Sequence, residues 1–157
     1  MEAKVREAEQ EDVTELIGLD EELSDQHAEI DDYYVSSSGL QNQQVREWLN
    51  ETIAGEDAKV LVFEAGQSLV GYFVGVIEET KPFIAPDREG RIAVIYVKPG
   101  WREHGFARTA TERFKRFCKE KDASSIRLSV HTDNPEAVEV WRSLGFREYM
   151  KRMRLEI

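Results

Sequence analysis

A chain of 157 residues suits one domain with a proper core, and two full domains would be cramped. No apolar run approaches the roughly 18 residues of a membrane span, the charged beginning lacks the apolar stretch of a signal peptide, and a single cysteine excludes an internal disulfide. The expectation is one cytoplasmic domain over 1–157, and the uneven net charge of −10 argues against nucleic acid as partner, since phosphate backbones need a clustered basic surface.

Residues 1–57 hold 17 acids against Lys4, Arg6 and Arg46, a net of −14, which leaves +4 for the remainder. Within this acidic front, residues 4–8 read as a short strand. Val13, Leu16, Ile17 and Leu23 mark a helix beginning near 10–12, with acids in its first turn to match the dipole. Residues 24–39 lack periodicity and read as a long loop, a kind that is often functional in a compact domain. The loop carries Glu29, Asp31, Asp32, Tyr33 and Tyr34. A second helix over 41–53 presents Val45, Trp48, Leu49 and Ile53 on one face, and Gly55 stops it.

Residues 60–64 and 68–78 read as a hairpin joined at 65–67, in which Gly71 and Gly75 suit bulges or close backbone approach. Residues 91–97 are nearly continuous in β-branched and aromatic side chains, as expected of a strand covered on both faces. Pro99 and Gly100 end it. From Ala107 the spacing becomes helical through Ala110, Thr111, Phe114, Phe117 and Cys118, and the cysteine reads as a small buried hydrophobe. A helix opening on a glycine-containing loop attracts anions, because its first N–H groups lack partners and the dipole is positive there. Arg108, a cation in that first turn, points the same way. Residues 125–130 form another strand, parallel to 91–97 through the helical crossover. A short helix over 134–144 is capped by Asn134 or Asp133 and stopped by Gly145, and residues 146–149 and 153–157 supply two last antiparallel strands. The order describes a mixed α/β sheet with helices on both faces.

Two motifs in this frame give the chain a resemblance. Arg102-x-x-Gly105-x-Ala107, after a strand and before a helix, resembles the pyrophosphate loop Gln/Arg-x-x-Gly-x-Gly/Ala of the GNAT superfamily of acetyl-CoA-dependent N-acetyltransferases. Asn134-x-x-Ala137-x-x-Val140-Trp141-x-x-x-Gly145-Phe146 is similar to that family's Asn-x-x-Ala-x-x-Leu-Tyr-x-x-x-Gly-Phe. Together they span 91–146. The resemblance implies the GNAT fold, a mostly antiparallel sheet with a splayed parallel pair, and acetyl-CoA as acyl donor. Backbone N–H groups of Arg102, Glu103, His104, Gly105, Phe106 and Ala107 would hold the pyrophosphate. Pantetheine would lie against Ile95 and Val97, with Asn134 and Trp141 nearby, and the Ile95 N–H would face the thioester oxygen as an oxyanion donor. The acceptor is expected to be a primary amine, and Glu29, Asp31, Asp32, Tyr33 and Tyr34 favour a cationic one: a polyamine, an aminoglycoside-like amine or a peptide amine.

The chain departs from the family at two catalytic places. Trp141 stands where the family's usual tyrosine protonates the departing thiolate, and an indole is no practical acid at neutral pH. Tyr149 could substitute for it. The family's usual carboxylate base is matched by Arg91 or Ser129, so Glu89 and His131 become the substitutes, each two residues away on the same strand face. His104 belongs to the loop, and three scattered histidines do not constitute a metal site. The leading expectation is transfer by direct attack of the amine on the thioester; the alternative is a non-catalytic acyl-CoA-binding sensor or assembly module. Family members are often dimers, so a homodimer is a further expectation.

Overall fold

The computed structural model of the chain describes residues 2–31, 41–83 and 87–157. Five strands, β1 (Ala3–Glu7), β2 (Ala58–Ala65), β3 (Ser68–Glu79), β4 (Arg88–Val97) and β5 (Ile126–Arg127), form one sheet in the order β1-β2-β3-β4-β5. The first three pairings are antiparallel and β4–β5 is parallel. Alternation along the strands divides the apolar side chains between two faces. Val60, Val62, Leu69, Tyr72, Val74 and Tyr96 pack under α1 (Val13–Ala28) and α2 (Gln41–Ala54). Leu61, Phe63, Phe73 and Ile92 pack under α3 (Phe106–Glu120) and α4 (Pro135–Ser143). The near-continuous apolar runs of β2 and β3 are thus explained by burial on both sides.

Glycines let α3 sit close to the sheet. A Cβ at Gly75 would collide with the Phe114 ring, and one at Gly90 would meet Cys118 Sγ at 2.5 Å. Burial pushes the Cys118 thiol up to about 11, so it packs as a neutral hydrophobe. Gly75 also borders an irregularity in the register: Val74 pairs with Val94 but Gly75 with Ile92, so Ala93 is an extra residue on β4. A bulge bends its strand and adds local twist. Beyond it, β4 leaves its parallel partner, since β5 pairs only through Gly90↔Ile126 and Arg91↔Arg127. The ladder to β5 ends at Arg91, two residues before the bulge.

Three expectations are corrected. The first helix runs on to Ala28, so the presumed loop loses residues 24–28 to α1, where His27 and the preceding turn are helical. The strand expected over 125–130 is reduced to two residues by the splay. Residues 146–157 form neither of the two expected strands: their side chains are mostly exposed, and an extended segment needs a sheet edge to bond its backbone.

Candidate active site

The loop between β4 and α3 offers mainly backbone groups. Lys98 donates its N–H to Val70 O, which closes the end of β4 onto β3, and a short 3-10 turn over Pro99–Trp101 follows. Glu103 and Gly105 then adopt left-handed conformations, φ 65° and 80°. For Glu103 this costs roughly 1–2 kcal/mol. The chain enters this turn extended at Arg102, φ −70° and ψ 161°, and the two left-handed residues bend it into the helix. Gly105 is the N-cap of α3 and contributes no side-chain bond, while the first i to i+4 bond is Thr109 N–H to Gly105 O. The N–H groups of Phe106, Ala107 and Arg108 therefore lack intrahelical acceptors.

Arg102 braces this loop from behind: its Nε donates to Val97 O at 3.0 Å and its Nη2 to Gln26 Oε1 of α1 at 3.0 Å. Lys98 lies 3.8 Å from Glu22, one helical turn earlier. His104 Nδ1 is 2.8 Å from Arg102 O, and its ring sits between Trp101 and Phe106. Phe106 is buried against Phe63, with centroids 4.7 Å apart. Ile95 and Val97, both partly buried, lie on the part of β4 beyond its pairing with β5.

The second motif has a local physical explanation. Asn134 Oδ1 accepts the Ala137 N–H at 3.3 Å and Pro135 occupies the first helical position, so both start α4. At its other end, Phe146 N–H donates to Trp141 O and Gly145 N–H to Arg142 O, with Gly145 at φ 99°. This is a Schellman motif, and its usual apolar contact is the edge-on packing of Trp141 against Phe146 at 5.3 Å. Trp141 belongs to the core beneath α3, at 8 % exposure. Tyr149, three residues past Phe146, is exposed.

A second cluster, around Asp31, is made of side chains. His131 Nε2 lies 2.8 Å from Asp31 Oδ2, bringing together two candidates a hundred residues apart. Asp133 donates its N–H to His131 Nδ1 at 3.0 Å, so in the neutral ring the proton sits on Nε2 and points at Asp31. Arg154 also binds Asp31, at 3.0 Å from Nη2. Asp31, Glu29, Asp133 and Arg154 line a cleft of about 350 Å³ with Ala28 and Ile30. Deeper under α1, Tyr72 donates its hydroxyl to Asp20 at 3.0 Å; burial raises the pKa of both and lowers that of His27. Asp32, Tyr33 and Tyr34 lie outside the described residues.

Glu89 is committed elsewhere. Its carboxylate accepts Arg127 Nε at 2.8 Å, while Glu78 accepts from both Arg91 and Arg127. Burial works against the charge on Glu78, but the two guanidiniums prevail and hold its pKa below the usual carboxylate value. This network occupies the place where a base was sought. A signal was available: Glu78, Glu89, Arg91 and Arg127 are charges inside otherwise apolar strands. Nothing in the sequence announced Arg154 or Gln26, since both contacts span elements far apart along the chain. Among the described residues no three His, Cys, Asp or Glu side chains cluster to hold a metal, and no helix is long and apolar enough to cross a membrane.

Residues 27–146 match the profile of the acetyltransferase (GNAT) family. Solved structures with the same fold include a mutant of the BH1408 protein of Bacillus halodurans, 23 % identical at TM-score 0.83, covering 98 % of this chain and 99 % of its own. A predicted acetyltransferase of Clostridium acetobutylicum with acetyl-CoA is 17 % identical at TM-score 0.79, covering 99 % and 96 %. The aminoglycoside 6'-N-acetyltransferase of Acinetobacter haemolyticus is 17 % identical at TM-score 0.75, covering 98 % and 97 %. No curated protein matches the chain significantly in sequence. The uncapped start of α3, the short β4–β5 ladder and the family match over most of the length lead to one conclusion: this chain is an acyltransferase belonging to the acetyltransferase (GNAT) family.

Proposed function

We propose that the protein transfers the acetyl group of acetyl-CoA to a cationic primary amine by direct attack, as a cytoplasmic enzyme. The observation that carries this reading is the uncapped N-terminus of α3 beside the splayed end of β4. The N–H groups of Glu103 to Ala107 bind the pyrophosphate, Arg102 holds their loop in place, and Ile95 and Val97 line the pantetheine. The Ile95 N–H stabilises the oxyanion that forms as the amine nitrogen bonds to the thioester carbon. Collapse of that intermediate breaks the carbon–sulfur bond. The thiolate leaves without a matched acid, which a thiol of pKa about 8.5 tolerates.

The acceptor binds at the cleft beside Asp31, where the acidic front supplies the field and the aminoglycoside acetyltransferase among the similar folds supports an amine with further positive charge. Of the two substitutes for the missing base, His131 is favoured over Glu89, because Glu89 is held by Arg127. His131 has its acceptor nitrogen engaged by the Asp133 N–H. The Asp31–His131 pair therefore acts chiefly by attracting the ammonium form; the nitrogen gives up one proton to water before it attacks, and the second proton, shed from the adduct, goes to water or to the departing thiolate.

The test is CoA release from acetyl-CoA across polyamines, aminoglycosides and lysine peptides, alongside calorimetry of CoA. Turnover with at least one cationic amine is expected, with neutral amines poorer. Tight CoA binding without turnover on any amine would overturn the reading in favour of a sensor.

A further inference from the structure

Arg91 and Arg127 stand opposite one another in the β4–β5 ladder, on neighbouring strands about 4.8 Å apart. Like charges so placed repel. Glu78 on β3 reconciles them: its Oε1 accepts Arg91 Nε at 2.6 Å and its Oε2 accepts Arg127 Nη2 at 2.7 Å, while Glu89 accepts Arg127 Nε at 2.8 Å. Two carboxylates thus fix two adjacent guanidiniums, whose side chains stay 34 % and 32 % exposed.

The guanidiniums have donors to spare. Neither terminal amino group of Arg91 has a partner among the described residues, and neither has Nη1 of Arg127. Pairing alone would leave such partly buried charges near break-even, because desolvation offsets their attraction. Immobilised guanidiniums with unused N–H groups suit a carboxylate or phosphate, which they bind in a planar fork that a lysine ammonium cannot reproduce.

Position says which molecule the anion belongs to. The ladder ends at this pair, so the two arginines stand where β4 and β5 stop pairing. Ile95, whose N–H meets the thioester in the proposed reaction, is four residues further along β4. His131, bonded to Asp31, is four residues past Arg127, at most about 14 Å of chain.

We propose, building on the acetyl-transfer reading, that Arg91 and Arg127 bind an anionic group of the acceptor, so that the substrate is a cationic amine that also carries a carboxylate or a phosphate, such as a basic amino acid. An ammonium attracted by Asp31 and an oxyanion held by the arginines fix the acceptor at both ends and orient the attacking nitrogen.

Matched acceptors test this: lysine against cadaverine, which lacks only the carboxylate, and phosphoethanolamine against ethanolamine. In at least one pair kcat/KM should favour the anionic member by about 30-fold or more, chiefly through KM. Which pair shows the preference tells carboxylate from phosphate. Arg91→Lys keeps the charge beside Glu78 but gives up the spare donors, and it should cut the preference to about 3-fold or less with circular dichroism unchanged. Equal kcat/KM within both pairs would overturn the proposal, as would a preference that survives Arg91→Lys. If no amine turns over, the acetyl-transfer reading fails and binding decides the role of the arginines. Lysine, phosphoethanolamine and cadaverine are then titrated into protein with saturating CoA and followed through the arginine Nε–H resonances. Saturable shifts with an anionic amine, absent with cadaverine and lost in Arg91→Lys, would sustain the anion site, and no shift with either anionic amine would overturn it.

Discussion

The proposed donor and acceptor regions are built from different material. Around the loop after β4, the working groups are main-chain N–H groups, fixed by two left-handed residues, a glycine N-cap and the start of a 15-residue helix. Around Asp31, the polar groups are side chains from the residues just after α1, from the turn before α4 and from the last residues of the sequence. Backbone geometry tolerates substitution as long as the loop keeps its shape, whereas a side-chain constellation is lost when one member changes. A fold family can therefore keep one donor and vary its acceptor.

The largest effect expected from breaking this division is on stability. Trp141→Ala would remove the apolar contact of the Schellman motif and a core side chain, costing about 3–5 kcal/mol in a denaturant titration. If the loss were below about 1 kcal/mol, α4 would not depend on that packing. Asp31→Asn comes next. It should raise KM for a cationic amine by about 10-fold or more and leave CoA affinity, measured by calorimetry, unchanged. An equal loss in both would show that the halves are not separable.

Gly105→Ala sharpens the other side. A Cβ there meets no neighbour within 4 Å, so the penalty is purely conformational at φ 80°. About 1 kcal/mol, or roughly 5-fold weaker CoA binding, is expected. Gly105→Asn should lose less, because asparagine visits the left-handed region more readily.

The smallest effect lies outside both halves and serves as their control. Arg6 donates two bonds of 2.9 Å to Asp12, and this guanidinium holds Asp12 below the usual carboxylate value. Because the folded pKa is depressed, the stabilisation is present above the unfolded pKa of about 3.9 and is lost as pH falls through the folded value. Asp12→Asn should cost about 1 kcal/mol at neutral pH, and the gap to the parent should begin to close near the unfolded pKa of about 3.9 and vanish only below the lower folded value. A gap that persisted in acid would mean that packing, rather than charge, is what Asp12 contributes.

Much of this protein was legible before folding was considered. The run from Arg91 to Ala107 displays a strand, a stop and a helix start because each is local: β-branched continuity, Pro99-Gly100, and a glycine before apolar residues at helical spacing. The block from Asn134 to Phe146 is likewise local, an N-cap at one end and a Schellman stop at the other, which is why its spacing identified a family. Glycines at 71 and 75 announced irregularity beside them: Val70 is an extra residue on β3 against β2, and Ala93 is one on β4 opposite Gly75.

Tertiary structure decided what depends on neighbours remote in the chain. Only the register of β3 against β4 reveals Ala93 as an extra residue, and with it the splay. Glu89 had the right position for a base, but Arg127, 38 residues away, holds its carboxylate. His131 and Asp31 were separate candidates until the fold set them 2.8 Å apart. Residues 147–157 keep the alternation of a strand, yet among the described residues no sheet edge receives them, because a strand's stability resides in its partner rather than in its sequence.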